Sequence, residues 1–156
     1  QNVVNHLVCR AGWMMGGGPK KDKKFVQKIF SQLKERKKEL FIVDDKLGTP
    51  TYTHDFAKNV KLLLEKEYWG LYNMVCAGIT GRYEVATELV NILGLSDVIK
   101  ITPVSSDYWK EEYFADRPPS ERLIDKKLNL RGVNIMRDWK ICLKEYVEEY
   151  YQGYLS

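Results

Sequence analysis

At 156 residues the chain is long enough for one compact domain and short for two. Its 44% hydrophobic and 29% charged residues exclude a disordered or collagenous chain, and no apolar run approaches the roughly 20 residues that a bilayer helix needs. The formal charge of +4 is uneven: Lys20 to Lys38 holds nine basic residues and two acidic ones, a surplus of seven, so the remainder sums to −3.

In chain order, Gln1 to His6 lack the positive start and apolar core of a secretory signal, and opening on Gln1 reads as a trimmed or excised segment. Val3 to Arg10 is β-branched and apolar, which predicts a strand, and Gly12 with Gly16-Gly17-Gly18-Pro19 predicts a long glycine loop after it. Asp22 is expected to cap a first amphipathic helix whose apolar stripe is Phe25, Val26, Ile29, Phe30 and Leu33. The lysines fill its other face, and a nucleic-acid partner is disfavoured because no aromatic residues interleave with them. Leu40 to Val43 predicts a second strand, closed by Asp44-Asp45 and Gly48-Thr49-Pro50. Thr53 is expected to cap a second helix bearing Phe56, Ala57, Val60, Leu63 and Leu64.

Leu71 to Cys76 predicts a third strand, running into Gly78-Ile79-Thr80-Gly81 and a helix with Ala86, Leu89, Val90 and Leu93 on one side and Gly94 as its stop. Val98 to Val104 alternates as a fourth strand, with Pro103 marking an edge. Ser105 to Asn134 has no period and holds Pro118-Pro119, so loop is expected; Asp138 then caps a last helix carrying Trp139, Leu143, Tyr146, Val147 and Tyr150. Strand and helix alternate four times, an α/β arrangement with parallel pairing. Four strands are too few for a complete doubly wound sheet, which makes residues 1–156 one domain of a larger architecture.

Chemistry-bearing motifs are sparse. Gly16 to Lys20 fails the phosphate-loop pattern because Lys21 follows Lys20 where Ser or Thr is required, and Gly78 to Gly81 has Glu84 where the third glycine of a dinucleotide fingerprint falls. No tyrosine has a lysine four residues later, so the chain carries no evident catalytic set. His6 and His54 are the two imidazoles, and no metal site is read from them. Cys9, Cys76 and Cys142 read as free thiols of a reducing, cytoplasmic compartment. Trp13, beside glycines at a strand end, is a candidate sugar platform, and Arg117 and Arg122 in an irregular segment are candidate anion-gripping groups.

Together these residues carry a resemblance. Arg10-Ala11-Gly12-Trp13, the glycine loop and Phe25-Val26 resemble the R-[TA]-[SG]-W…GG…FV segment of dTDP-4-dehydrorhamnose reductases and related sugar-nucleotide members of the extended short-chain dehydrogenase/reductase superfamily. Val43 to Asp55 is similar to that family's V-x-D-Q-x-G-x-P-T-x-x-x-D stretch, and Gly70-Leu71-Tyr72-Asn73, Thr80 to Ala86, Arg117-Pro118, Arg122-Leu123 and Asp138-Trp139 follow in the family's order. Ser120-Glu121 depart from it, standing where members often carry Asn-Ser.

The resemblance implies the C-terminal half of such an enzyme: partial Rossmann-type sheet strands plus the small α/β substrate-binding lobe. It places Trp13 against a deoxysugar and Arg117 and Arg122 near the sugar or diphosphate of a nucleotide-activated sugar. The N-terminal cofactor-binding half is absent, so this fragment is expected to bind no cofactor and to be inactive alone, with NADP or NAD expected for the intact parent. Exposed strand edges then favour self-association. The alternative is a non-catalytic regulatory or scaffold relative that binds a protein partner.

Overall fold

The computed structural model describes residues 3–109, 111 and 118–155. The chain begins with β1 (Leu7–Arg10) and β2 (Trp13–Met15), then the single turn α1 (Gly18–Lys21) and the first long helix α2 (Phe25–Lys34). Next come β3 (Glu39–Val43), β4 (Leu47–Gly48), β5 (Pro50–Tyr52) and α3 (Thr53–Glu65). The second half runs β6 (Gly70–Asn73), β7 (Thr80–Gly81), α4 (Arg82–Ile92), β8 (Lys100–Val104), a 3₁₀ turn at Ser106–Trp109, α5 (Lys126–Leu130) and α6 (Trp139–Tyr150).

The parallel pairing expected from the alternation is present, in short pieces. β1 pairs with β6, β2 with β5 and β3 with β8, all parallel, while β4 meets β7 antiparallel. The long helices α2, α4 and α6 bury apolar residues of their expected stripes, whereas in α3 Leu64 of that stripe is 47% exposed and Asp55 and Asn59 are buried beside Leu63. Val26, Ile29, Phe30 and Leu33 of α2 join Leu89 and Val90 of α4 and Leu143, Tyr146 and Val147 of α6 in the larger of two cores. Leu63 of α3 meets Tyr72, Met74, Leu128, Val133 and Met136 in the smaller one, beneath Leu7 and Cys9.

Boundaries differ from expectation where a local cue competed with a tertiary one. The first strand begins at Leu7, not Val3, because its partner β6 starts at Gly70. Asp22 does not cap α2. It is buried, and its carboxylate accepts from Lys24 N at 2.8 Å and from the Tyr146 hydroxyl at 2.9 Å, while Lys24 holds the cap position. Tyr52 rather than Thr53 precedes α3. Asp138 does cap α6, accepting from Lys140 N at 2.8 Å. Cys76 and Cys142 are buried free thiols and Cys9 is half-buried. Among the described residues, no helix is long and apolar enough to cross a membrane.

Candidate functional site

The ends of β2, α2 and α4 converge with a strap, residues 119–121, on one cleft of about 510 Å³. Trp13 lines it. β2 is drawn in by two close approaches that a side chain on Gly12 would block: Gly12 N donates to Thr51 Oγ1 at 2.8 Å and Trp13 N to Thr49 O at 2.9 Å, while a Cβ on Gly12 would stand 2.0 Å from Thr49 O. The indole lies against Gly48, where an added Cβ would fall 2.2 Å from the ring. Its Nε1 donates to Glu121 Oε2 at 3.0 Å, which fixes the ring's rotation.

Glu121 is held by backbone pairing. Leu47 N donates to Pro119 O at 2.9 Å and Glu121 N to Leu47 O at 2.8 Å, so the strap lies along β4 like an extra strand. From the other side comes Arg82, the first residue of α4, its guanidinium 5.4 Å from the Trp13 ring centroid and 5.9 Å from that of Phe25. Lys23, Lys24 and Lys28 line the cleft beside Phe25. A smaller groove continues past Phe25, Lys28 and Arg82 to Phe41 and Trp109.

Among the described residues four cations and one carboxylate line the cleft, which makes it electropositive, and Trp13 and Phe25 add two aromatic side chains.

The predicted residues fare differently. Trp13 lines the cleft. Arg122 is exposed one residue beyond Glu121, its Nε donating to Ser120 Oγ at 2.9 Å, and it does not line the cleft. Arg117 lies outside the described residues. Arg82 and Glu121 were not singled out as site residues: Arg82 sits at a turn weighed for other chemistry, while the departure at Ser120-Glu121 was the signal for Glu121. The lysines expected on a solvated helix face include three, Lys23, Lys24 and Lys28, that line the cleft.

Both glycine turns are packed by the chain's own side chains. Gly81 N, the amide that would meet a phosphate at the start of α4, donates instead to the chain's own carboxylate, Glu84 Oε2, at 2.8 Å. In the glycine loop, a Cβ on Gly16 would meet Thr53 at 1.9 Å and one on Gly18 would meet Tyr150 at 2.7 Å, so this backbone packs on side chains and forms no open cradle.

A second polar cluster lies away from the cleft. His54, Glu145 and Glu149 bring ligand-type atoms within 4.8 Å of one another. These groups already bond their neighbours: His54 Nε2 meets Tyr150 Oη at 3.0 Å, Glu149 accepts from Tyr52 Oη at 3.2 Å, and Glu145 accepts from Arg137 Nη1 at 2.6 Å. Beneath them Arg137 grips the buried Asp55 carboxylate, with Nη2 2.7 Å from Oδ1.

Residues 1–152 match the family described as the RmlD substrate binding domain. The spore coat polysaccharide biosynthesis protein SpsK of Bacillus subtilis (strain 168) is 31% identical over 142 residues, covering 91% of this chain and 47% of that protein. The dTDP-4-dehydrorhamnose reductase of Escherichia coli (strain K12) is 26% identical over 155 residues, covering 94% of this chain and 50% of that enzyme. Among solved structures, the dTDP-4-dehydrorhamnose reductase of Yersinia enterocolitica superposes with a TM-score of 0.81 at 30% identity, over 93% of this chain and 50% of that one. That of Bacillus anthracis, in complex with NADP, superposes with a TM-score of 0.78 at 25% identity, over 93% and 48%. The chain thus spans about half the length of the relatives it matches.

Proposed function

The chain belongs to the RmlD substrate-binding-domain family, and from that premise we propose that its Trp13 cleft holds a nucleotide-activated sugar for an NAD(P)-dependent reductase of 4-keto-deoxysugars. The observation that carries this reading is the clamp on one indole: Glu121 holds its edge, Arg82 stands over its ring, and Lys23, Lys24 and Lys28 sit alongside. The indole face packs against the CH groups of the deoxysugar. Arg82 and the lysines neutralise the diphosphate, and the smaller groove beside Phe41 and Trp109 receives the nucleoside. Arg122, exposed beside Glu121, and Arg117, which the resemblance also singles out, supply further cationic contacts to the outer part of the ligand.

A bound nicotinamide cofactor would supply the hydride, and that cofactor belongs to a part of the protein outside this chain, as does the proton donor to the sugar oxygen. The work of these 156 residues is to position the sugar and shield it from water.

Calorimetric titration with dTDP-glucose tests the reading. Trp13→Ala and Arg82→Ala each weaken binding by about 10-fold or more, equivalent to roughly 1.4 kcal/mol. The chain alone, mixed with a dTDP-4-keto sugar, leaves NADPH absorbance unchanged. Absence of any heat of binding at millimolar dTDP-glucose contradicts the sugar site, and NADPH consumption contradicts the division of labour.

A further inference from the structure

Asp22 is the one carboxylate among six lysines between Lys20 and Lys34, and it is buried. Its two oxygens serve different parts of the chain. Oδ1 accepts from Lys24 N at 2.8 Å, which shapes the turn from α1 into α2, and Oδ2 accepts from the Tyr146 hydroxyl at 2.9 Å, across 124 residues. Tyr146 belongs to α6 and is fully buried. A buried hydroxyl needs a partner, but a backbone carbonyl would serve, and a buried carboxylate is the costlier choice.

α6 and the turn after it hold α2 at a second point. The Tyr151 hydroxyl donates to Gln27 Oε1 at 2.9 Å, Gln27 Nε2 donates to the Tyr154 hydroxyl at 2.9 Å, and the Phe30 and Tyr151 rings stack with centroids 3.8 Å apart. Between Asp22 and Gln27 lie Lys23, Lys24, Phe25 and Val26, and Lys28 follows; all five line the cleft. The start of α2 has no acidic residue in its first turn and no side-chain cap, so the helix dipole and the lysines repel one another there. Within the turn, Asp22 is the group that opposes this repulsion.

We infer that the Asp22–Tyr146 hydrogen bond is a latch by which α6 holds Lys23 and Lys24 at the cleft, so that Asp22 and Tyr146 are positioning residues for the anionic part of the ligand. The inference deepens the sugar-nucleotide reading above and rests on it for the ligand's identity, while the latch itself requires only an anion. A carboxylate beside lysines ordinarily weakens anion binding by its charge. The latch reverses that expectation for Asp22, because its oxygens are taken up by Tyr146 and the Lys24 amide while Lys23 and Lys24 line the cleft.

Calorimetric titrations with dTDP-glucose and, separately, with inorganic pyrophosphate test the latch. Tyr146→Phe removes one hydroxyl and no charge, and it is expected to weaken both ligands by about 5-fold at low salt. In a chain that already carries Lys23→Gln and Lys24→Gln, the same substitution is expected to cost less than about 2-fold, because the groups it positions are gone. Asp22→Ala removes a negative charge, so charge alone predicts tighter binding, whereas the latch predicts binding weaker by about 5-fold. Equal losses from Tyr146→Phe in both backgrounds, no loss, or tighter binding by Asp22→Ala each overturn the inference. Pyrophosphate bound without dTDP-glucose strikes the sugar reading and leaves the latch measurable, and binding of neither overturns both. Amide exchange reads the latch without any ligand: in Tyr146→Phe the Lys24 amide is expected to speed by about 10-fold, while Leu89 and Val90 of α4 change far less. Unchanged exchange at Lys24 overturns the inference, and so does an equal rise at Leu89 and Val90, the signature of a general loss of stability.

Discussion

Two buried carboxylates meet burial with different help. Burial pushes the Asp55 carboxyl up, but the fork of Arg137 and the Arg137 amide bonded to it prevail and hold it below the usual carboxylate range. Its contribution to stability is present above the unfolded pKa, about 3.9, and is lost as acid protonates it. Asp125 has the Val75 amide and Asn134 as its hydrogen-bonding partners, and burial pushes it up to about 6. Here the folded chain keeps a proton that the unfolded chain releases, so the contribution of Asp125 to stability is fully present below about pH 4 and declines as pH rises to about 6. The decline is on the order of 2 kcal/mol. In Asp125→Asn that slope should vanish, which urea denaturation at pH 4, 5 and 6 would register as parallel midpoints; a slope equal to that of the parent sequence would mean that another group titrates there.

At the scale of elements, β4 is two residues long and yet sets the cleft, because Gly48 is the surface on which the Trp13 indole rests. Gly48→Ala should push the ring aside and weaken dTDP-glucose binding by about 10-fold, with an overpacking cost of about 1–3 kcal/mol in thermal denaturation. Unchanged affinity would show that the ring's seat does not matter. The four long helices were legible from their apolar stripes, since a period of 3.6 carries over ten or more residues. β3 and β8 were legible for their β-branched and apolar content. Strands of two or three residues, β2, β4, β5 and β7, have no room for a period, and α5, with Leu128 as its one buried residue, was hidden in the segment read as loop. The site was half legible for a related reason. Trp13 stood out beside its glycines, but Glu121 lies 108 residues away, and only the pairing of Leu47 with the strap brings the two together.

On the scale of the whole molecule, the two cores are unequal. The larger gathers twenty buried residues and the smaller six among those described. Buried area sets local stability, so amides of α5 should exchange through openings that leave α4 and α6 intact, visible as two tiers of exchange free energy. A single tier would mean that the cores melt as one body. The parallel register also dictates a timetable. Leu7 waits for Gly70 and Glu39 for Lys100, each partner more than sixty residues downstream. At a ribosomal pace of about 5–20 residues per second, the first strand waits roughly 3 to 12 s for β6 to be made, longer still before the exit tunnel releases it. Nascent-chain chaperones therefore meet this sequence with the β6-facing edge of β1 still unpaired.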